Sequence, residues 1–80
     1  MSNEALLAAI AKKVATCQSC DLWKGTSHAV PGEGNPSAKV VFIGEAPGFY
    51  EDREGRPFIG AAGKVLTKIL NEIGVARESV

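Results

Sequence analysis

The sequence predicts an α/β fold, and three observations over residues 39–73 predict it. Lys39 to Ile43 (KVVFI) is a short, uninterrupted run rich in apolar and β-branched residues, the pattern of a strand buried on both faces of a parallel sheet. Residues 44–60 follow as a loop punctuated by Gly44, Gly48, Gly55 and Gly60. From Ala61 to Ile73 the residues Val65, Leu66, Ile69, Leu70 and Ile73 recur at helical spacing, and Gly74 is placed to end that helix. Strand, glycine-rich loop and helix make up half of a βαβ unit.

In chain order, Ser2 or Asn3 can cap a first helix, and Glu4 suits its positive end. Leu6, Ile10 and Val14 repeat every fourth residue with Leu7 beside them, and Lys12 and Lys13 suit the last turn. The spacing predicts a helix over residues 4–16, which hands over to a cysteine-bearing loop, 17–38. Within it, residues 24–38 (KGTSHAVPGEGNPSA) are rich in Gly, Pro, Ser and Asn, and Asn35-Pro36 is a turn signal. A structureless stretch of this length points to a functional loop. The strand (39–43), loop (44–60) and helix (61–73) come next. A single strand cannot make a sheet, so residues 1–80 are expected to form the N-terminal portion of one larger domain.

A chain of 80 residues supports only a small core, which is marginal without a metal or a partner. Its 45% hydrophobic content argues against disorder. A net charge of +0 leaves no broad electrostatic footprint for nucleic acid, though a few local groups could still build a DNA-binding surface. No apolar run approaches the ~20 residues of a membrane span. Glutamate early and lysines late in MSNEALLAAIAKK reverse the order of a secretory signal, so a cytoplasmic setting is expected.

Two groups of residues carry chemistry. Cys17 and Cys20, in ATCQSCDLW, form a C-x-x-C pair that can bind one metal or one cluster iron. His28 is the single histidine, so even with it a zinc site would have three ligands. A redox dithiol is the alternative, but a thioredoxin-like pair would follow a strand, and this one follows a helix. The second group is the loop opened by GEAPG. It lacks the G-x-G-x-x-G and G-K-S/T spacings of nucleotide-binding loops. Backbone N–H groups after a strand can cradle an oxygen-rich ligand. An ordinary strand-to-helix connection accounts for the glycines, but not for Glu45, Glu51 and Asp52 crowded into one loop, where like carboxylates repel. In GRPFIGAAGK, Phe58 could be a core contact or a ligand-stacking ring. Gly60, Ala61 and Gly63 open the following helix, where exposed N–H groups can take a phosphate.

C-x-x-C-D-L, then GEGNPSAKVVFIGEAPGFYED, then GRPFIGAAGKVL resembles the N-terminal part of the family 4 uracil-DNA glycosylases, the iron–sulfur members of that superfamily. The resemblance covers the chain from about Leu6 onward. It implies a three-layer α/β/α fold with a central parallel sheet. It also implies hydrolysis of the bond between uracil and deoxyribose, with the base flipped out of the duplex. By position, the backbone of Gly44, Glu45 and Ala46 would line the uracil pocket and Phe58 would stack on the base. Glu51 would position or activate the attacking water, with Asp52 the second candidate. Cys17 and Cys20 would be two of four ligands of a [4Fe-4S] cluster that acts as a structural staple. Gly60, Ala61 and Gly63 would face the DNA backbone.

The partner implied is uracil-containing DNA, and the protein is expected to be a monomer. Ala46 stands where the family 1 relatives carry a catalytic aspartate, which moves the carboxylate role to Glu51. It also favours the hydrolytic branch over relatives that trap DNA covalently. The family's uracil-reading asparagine, its late histidine motif and two further cysteines are not in these residues. The 80-residue chain alone is therefore expected to release little or no uracil. A non-catalytic module that binds uracil-DNA or another protein is the competing class. A small zinc or redox protein leaves GEAPGFYED and GRPF unexplained.

Overall fold

The computed structural model describes residues 2–80. In order they form α1 (Asn3–Ala15), a 3₁₀ turn (Asp21–Trp23), α2 (Phe49–Glu54), α3 (Ala61–Glu72) and a second 3₁₀ turn (Arg77–Ser79).

α1 starts where its cap dictates. The Ser2 hydroxyl accepts the Ala5 N–H at 3.1 Å, with Glu4 in the first turn and Lys12 and Lys13 in the last. Asn3 Nδ2 donates to the Pro36 carbonyl at 3.2 Å, tying the helix start to the long loop. The predicted stripe exists, but Leu6, Leu7 and Ile10 are exposed on it.

α3 ends in a Schellman motif. Val75 N–H reaches the Leu70 carbonyl at 2.8 Å, Gly74 N–H reaches that of Asn71 at 3.2 Å, and Gly74 takes the left-handed φ of 78°. Leu70, at 4% exposure, is the only buried large apolar residue among the described ones. α3 packs against the Arg77–Ser79 turn. The whole is a slab of 38 × 35 × 17 Å with a radius of gyration of 13.6 Å. A compact chain of this length would have about 12 Å.

Two expectations are corrected. No strand is formed over residues 39–43, nor elsewhere among the described residues. A strand exists by pairing, and no second extended segment lies beside this one. Its side chains stand in the open, Val41 at 73% and Ile43 at 90% exposure. The parallel sheet is therefore not formed in these residues. The loop 44–60 is not continuous either: α2 interrupts it, bounded by Gly48 as N-cap and by Gly55 at the left-handed φ of 72°.

Candidate functional site

α2 is short because its ends are fixed by glycines, and it exists because Glu51 completes its first turn. The Glu51 carboxylate curls back to accept the Gly48 N–H at 3.0 Å. A side chain on Gly48 would collide with Glu51 Oε1. The other oxygen, Oε2, accepts the N–H groups of Ile59 at 2.8 Å and Gly60 at 2.6 Å. Gly60 is the N-cap of α3. One carboxylate thus gathers the starts of two helices and the GEAPG and GRPF segments. Hydrogen bonds from Gly60 and Ile59 above all, and then from Gly48, hold its pKa below the ordinary carboxylate value.

Phe58 is the one residue other than glycine described with positive φ, at 52°. This is a left-handed backbone that a Cβ disfavours. It places the ring beside Gly44: a methyl group on Gly44 would lie 3.3 Å from ring carbons Cε1 and Cζ. From the other direction α3 presses close. Gly63 is buried, and a Cβ there would overlap the Phe58 carbonyl. Arg77 reaches the same segment. Its Nη1 donates to the Phe58 carbonyl at 3.2 Å and to Thr67 Oγ1 at 2.8 Å, and its Nη2 donates to the Pro57 carbonyl at 3.0 Å. Arg56 forms a bidentate pair with Glu33, both bonds at 2.9 Å, and this depresses the Glu33 pKa.

Asp52 faces away from Glu51. Its Oδ1 accepts the N–H of Ser27 at 2.9 Å and of His28 at 3.4 Å. His28 Nδ1 lies 2.8 Å from the Asp52 carbonyl, which can only accept, so that nitrogen carries the proton. α2 is thereby joined to the cysteine-bearing loop. Cys17 and Cys20 are exposed free thiols. They open on a hollow of about 430 Å³ that also touches Trp23, His28 and, across from them, Pro47 of GEAPG. Cys17 Sγ lies 3.6 Å from Ser19 Oγ, and the Ser19 backbone N–H and hydroxyl lower the thiol pKa below its ordinary value. No group of three or more His, Cys, Asp or Glu is placed to hold a metal among the described residues. A metal held by this pair would need further ligands.

The structure brings Gly44, Glu51, Phe58, Gly60 and Gly63 together. Glu45 and Ala46 are exposed on the same loop. Three roles change. Glu51, engaged by three N–H donors and kept ionised, is a poor base for activating water. Gly60 is not free for phosphate because its N–H is held by Glu51, and Gly63 is covered by Phe58. Ala61 stays exposed on the first turn of α3. Arg77 is a residue that sequence reasoning missed. It meets Phe58 only through the tertiary placement of α3 and the turn after it, and no local pattern announces that.

The family model of the uracil DNA glycosylase superfamily matches residues 31–80, which include the whole Glu51–Phe58 arrangement. The chain belongs to this superfamily. Superfamily members are α/β, and the residues described here contribute helices and loops to that architecture. Most of its similar curated relatives are of one type. The type-4 uracil-DNA glycosylase of Saccharolobus solfataricus is 60% identical over 72 residues, covering 89% of this chain and 33% of that protein. The type-4 enzyme of Thermotoga maritima is 43% identical over 79 residues, covering 99% of this chain and 41% of its own length. A type-5 uracil-DNA glycosylase of Thermus thermophilus is 45% identical over 52 residues, 62% of this chain and 24% of that protein. This superfamily chain thus spans a third to two-fifths of the type-4 relatives it matches.

Proposed function

We propose that this chain supplies the uracil-holding loop and half of the cluster ligands of a type-4 uracil-DNA glycosylase acting in base-excision repair. The single observation that carries the reading is the convergence of Gly44, Phe58 and the Glu51-bound backbone into one wall, within a chain similar over most of its length to such enzymes. The finer architecture belongs to the same reading: residues 39–43 become a strand of a central parallel sheet when further strands pair with them, in a three-layer α/β/α domain.

Cleavage of the N-glycosidic bond leaves positive charge on the sugar and negative charge on the departing base. Backbone N–H groups of Gly44, Glu45 and Ala46 aimed at uracil oxygens would stabilise the anion. Phe58 would stack on the flipped base. The Glu51 carboxylate, ionised and fixed, favours an oxocarbenium-like sugar through its charge and orients water. A cationic sugar needs no prior deprotonation of the water that attacks it, so a low pKa at Glu51 suits this role. Asp52 is committed to Ser27 and His28 and serves as a brace. Of Gly60, Ala61 and Gly63, Ala61 is the exposed one whose N–H would be open to a DNA phosphate.

Cys17 and Cys20 fit as two ligands of a [4Fe-4S] cluster, being exposed free cysteines three positions apart in sequence, with the Cys17 thiol pKa lowered by Ser19. Bound there, the cluster would order the loop and do no chemistry on the base. A C-x-x-C pair used for a cluster rather than a disulfide fits a cytoplasmic setting. No helix among the described residues is long and apolar enough to cross a membrane, and the reading takes the protein as a monomer on uracil-containing DNA.

The test is incubation of the full, cluster-loaded protein with an oligonucleotide carrying one uracil. Release of free uracil and an alkali-labile abasic site are expected. Tight binding without release would replace the enzyme by the non-catalytic module.

A further inference from the structure

We propose that Arg77 is a positioning residue for Phe58, holding the ring in the posture that stacks on the flipped base. The inference rests on the reading of Phe58 as the stacking residue, and it adds to the site a side chain from beyond α3.

The segment from Pro57 to Gly60 needs holding. Phe58 sits at φ 52°, which a residue with a Cβ leaves unless its surroundings over-determine it. Four successive residues supply the restraint through their backbone. The carbonyls of Pro57 and Phe58 accept from the Arg77 guanidinium at 3.0 and 3.2 Å. The N–H groups of Ile59 and Gly60 donate to Glu51 at 2.8 and 2.6 Å. A cation holds the acceptors and an anion holds the donors, so the strained residue lies between two charged grips. Arg77 is itself fixed by Thr67 on α3 at 2.8 Å. Its Cζ lies over the Phe58 ring, 5.7 Å from the centroid, within cation–π range. The guanidinium therefore backs one face of the ring, and base stacking falls to the other.

The planar fork is essential to this geometry. Two terminal nitrogens reach two adjacent carbonyls while one of them also reaches Thr67. A lysine ammonium is a point charge and cannot span the three acceptors. Without the fork, two half-buried carbonyls lose their partner, and Phe58 is free to relax to negative φ and carry its ring away from Gly44.

The test is a double-mutant cycle in the full, cluster-loaded protein, reading kcat/KM for uracil release from a single-uracil oligonucleotide. Arg77→Met and Arg77→Lys are each combined with Phe58→Leu. In the otherwise native protein each Arg77 substitution is expected to lower kcat/KM about tenfold, because a displaced stacking ring misplaces the base. In the Phe58→Leu background the same substitutions should cost less than about twofold, since residues acting through one another are not additive. Equal losses in both backgrounds, or no loss in the native one, overturn the proposal. If Phe58→Leu alone leaves kcat/KM unchanged, the stacking reading falls. The clamp is then judged by amide hydrogen exchange at Ile59 and Gly60, expected to accelerate in Arg77→Met; unchanged protection there overturns it.

Discussion

Two loops of this chain are built in opposite ways. In residues 44–60 the backbone is held by side chains distant in sequence: Glu51 reaches Ile59 and Gly60, and Arg77 reaches Pro57 and Phe58. In residues 17–26 the bonds are between near neighbours: Cys17 with Ser19, Lys24 with Asp21, and Thr26 with the Trp23 carbonyl. The first loop is preorganised by the chain's own charges. The second presents two exposed thiols and is tied to α2 only at its far end, where Asp52 accepts from Ser27 and His28. That contrast suits the proposed roles: a loop that receives a base would have to be rigid before the base arrives, whereas a loop that holds a cluster would gain its rigidity from the ligation itself.

The largest effect expected concerns what supports the preorganised loop. With Leu70 alone buried among the large apolar side chains described, the clamp rests on very little core. The isolated 80-residue chain should release uracil at background level while the full protein turns over. Activity of the isolated chain would show that its own hydrogen bonds suffice.

Next comes the other loop. Cys17→Ser or Cys20→Ser should abolish the broad cluster absorbance near ~400 nm, while amide protection at Ile59 and Gly60 persists. Loss of protection at both places would mean that the loops are one unit.

Glu51→Gln should reverse that pattern, keeping the cluster colour and loosening the pocket. The amide NH2 would confront backbone N–H donors, so a fall of about tenfold or more in kcat/KM and a lower Tm are expected. The pH dependence has a definite sign. Because the folded pKa of Glu51 is depressed, its contribution is complete above the ordinary value of 4.5 and is lost as pH falls through the lower folded value. Exchange at Ile59 and Gly60 should therefore accelerate over that acid range in the native protein, and show no such transition in Glu51→Gln. A native protein with no transition would free Glu51 from the clamp.

The smallest effect lies at the joint. Asp52→Ala removes the acceptor for Ser27 and His28 and should cost about 1 kcal/mol, as exposed backbone bonds do. Urea unfolding of the full protein measures it. A loss several times larger would make the joint, rather than either loop, the centre of stability.

Much of this was readable from local pattern. Ser2 and Gly74 mark helix ends because capping is decided within a few residues. α2 was missed because Glu51 and Asp52 look like reagents in a loop, whereas at the first turn of a helix they are also capping groups. The apolar run 39–43 is legible as strand-forming, yet no ladder forms, because pairing is a property of two segments. Arg77 with Phe58, and Arg56 with Glu33, could not be read at all: each joins residues about twenty positions apart through the course of the chain between them. The uracil-pocket role proposed for Gly44, Glu45, Ala46 and Phe58 rests on motif resemblance, and the structure adds the reason Phe58 can reach Gly44.

The central claim is that the GEAPG backbone and Phe58 receive the base. It is tested most directly by titrating the full, isotopically labelled protein with uracil and following its amide resonances. Shifts concentrated at Gly44, Glu45, Ala46 and Phe58 are expected. Saturable uracil binding that leaves those four resonances in place would contradict it.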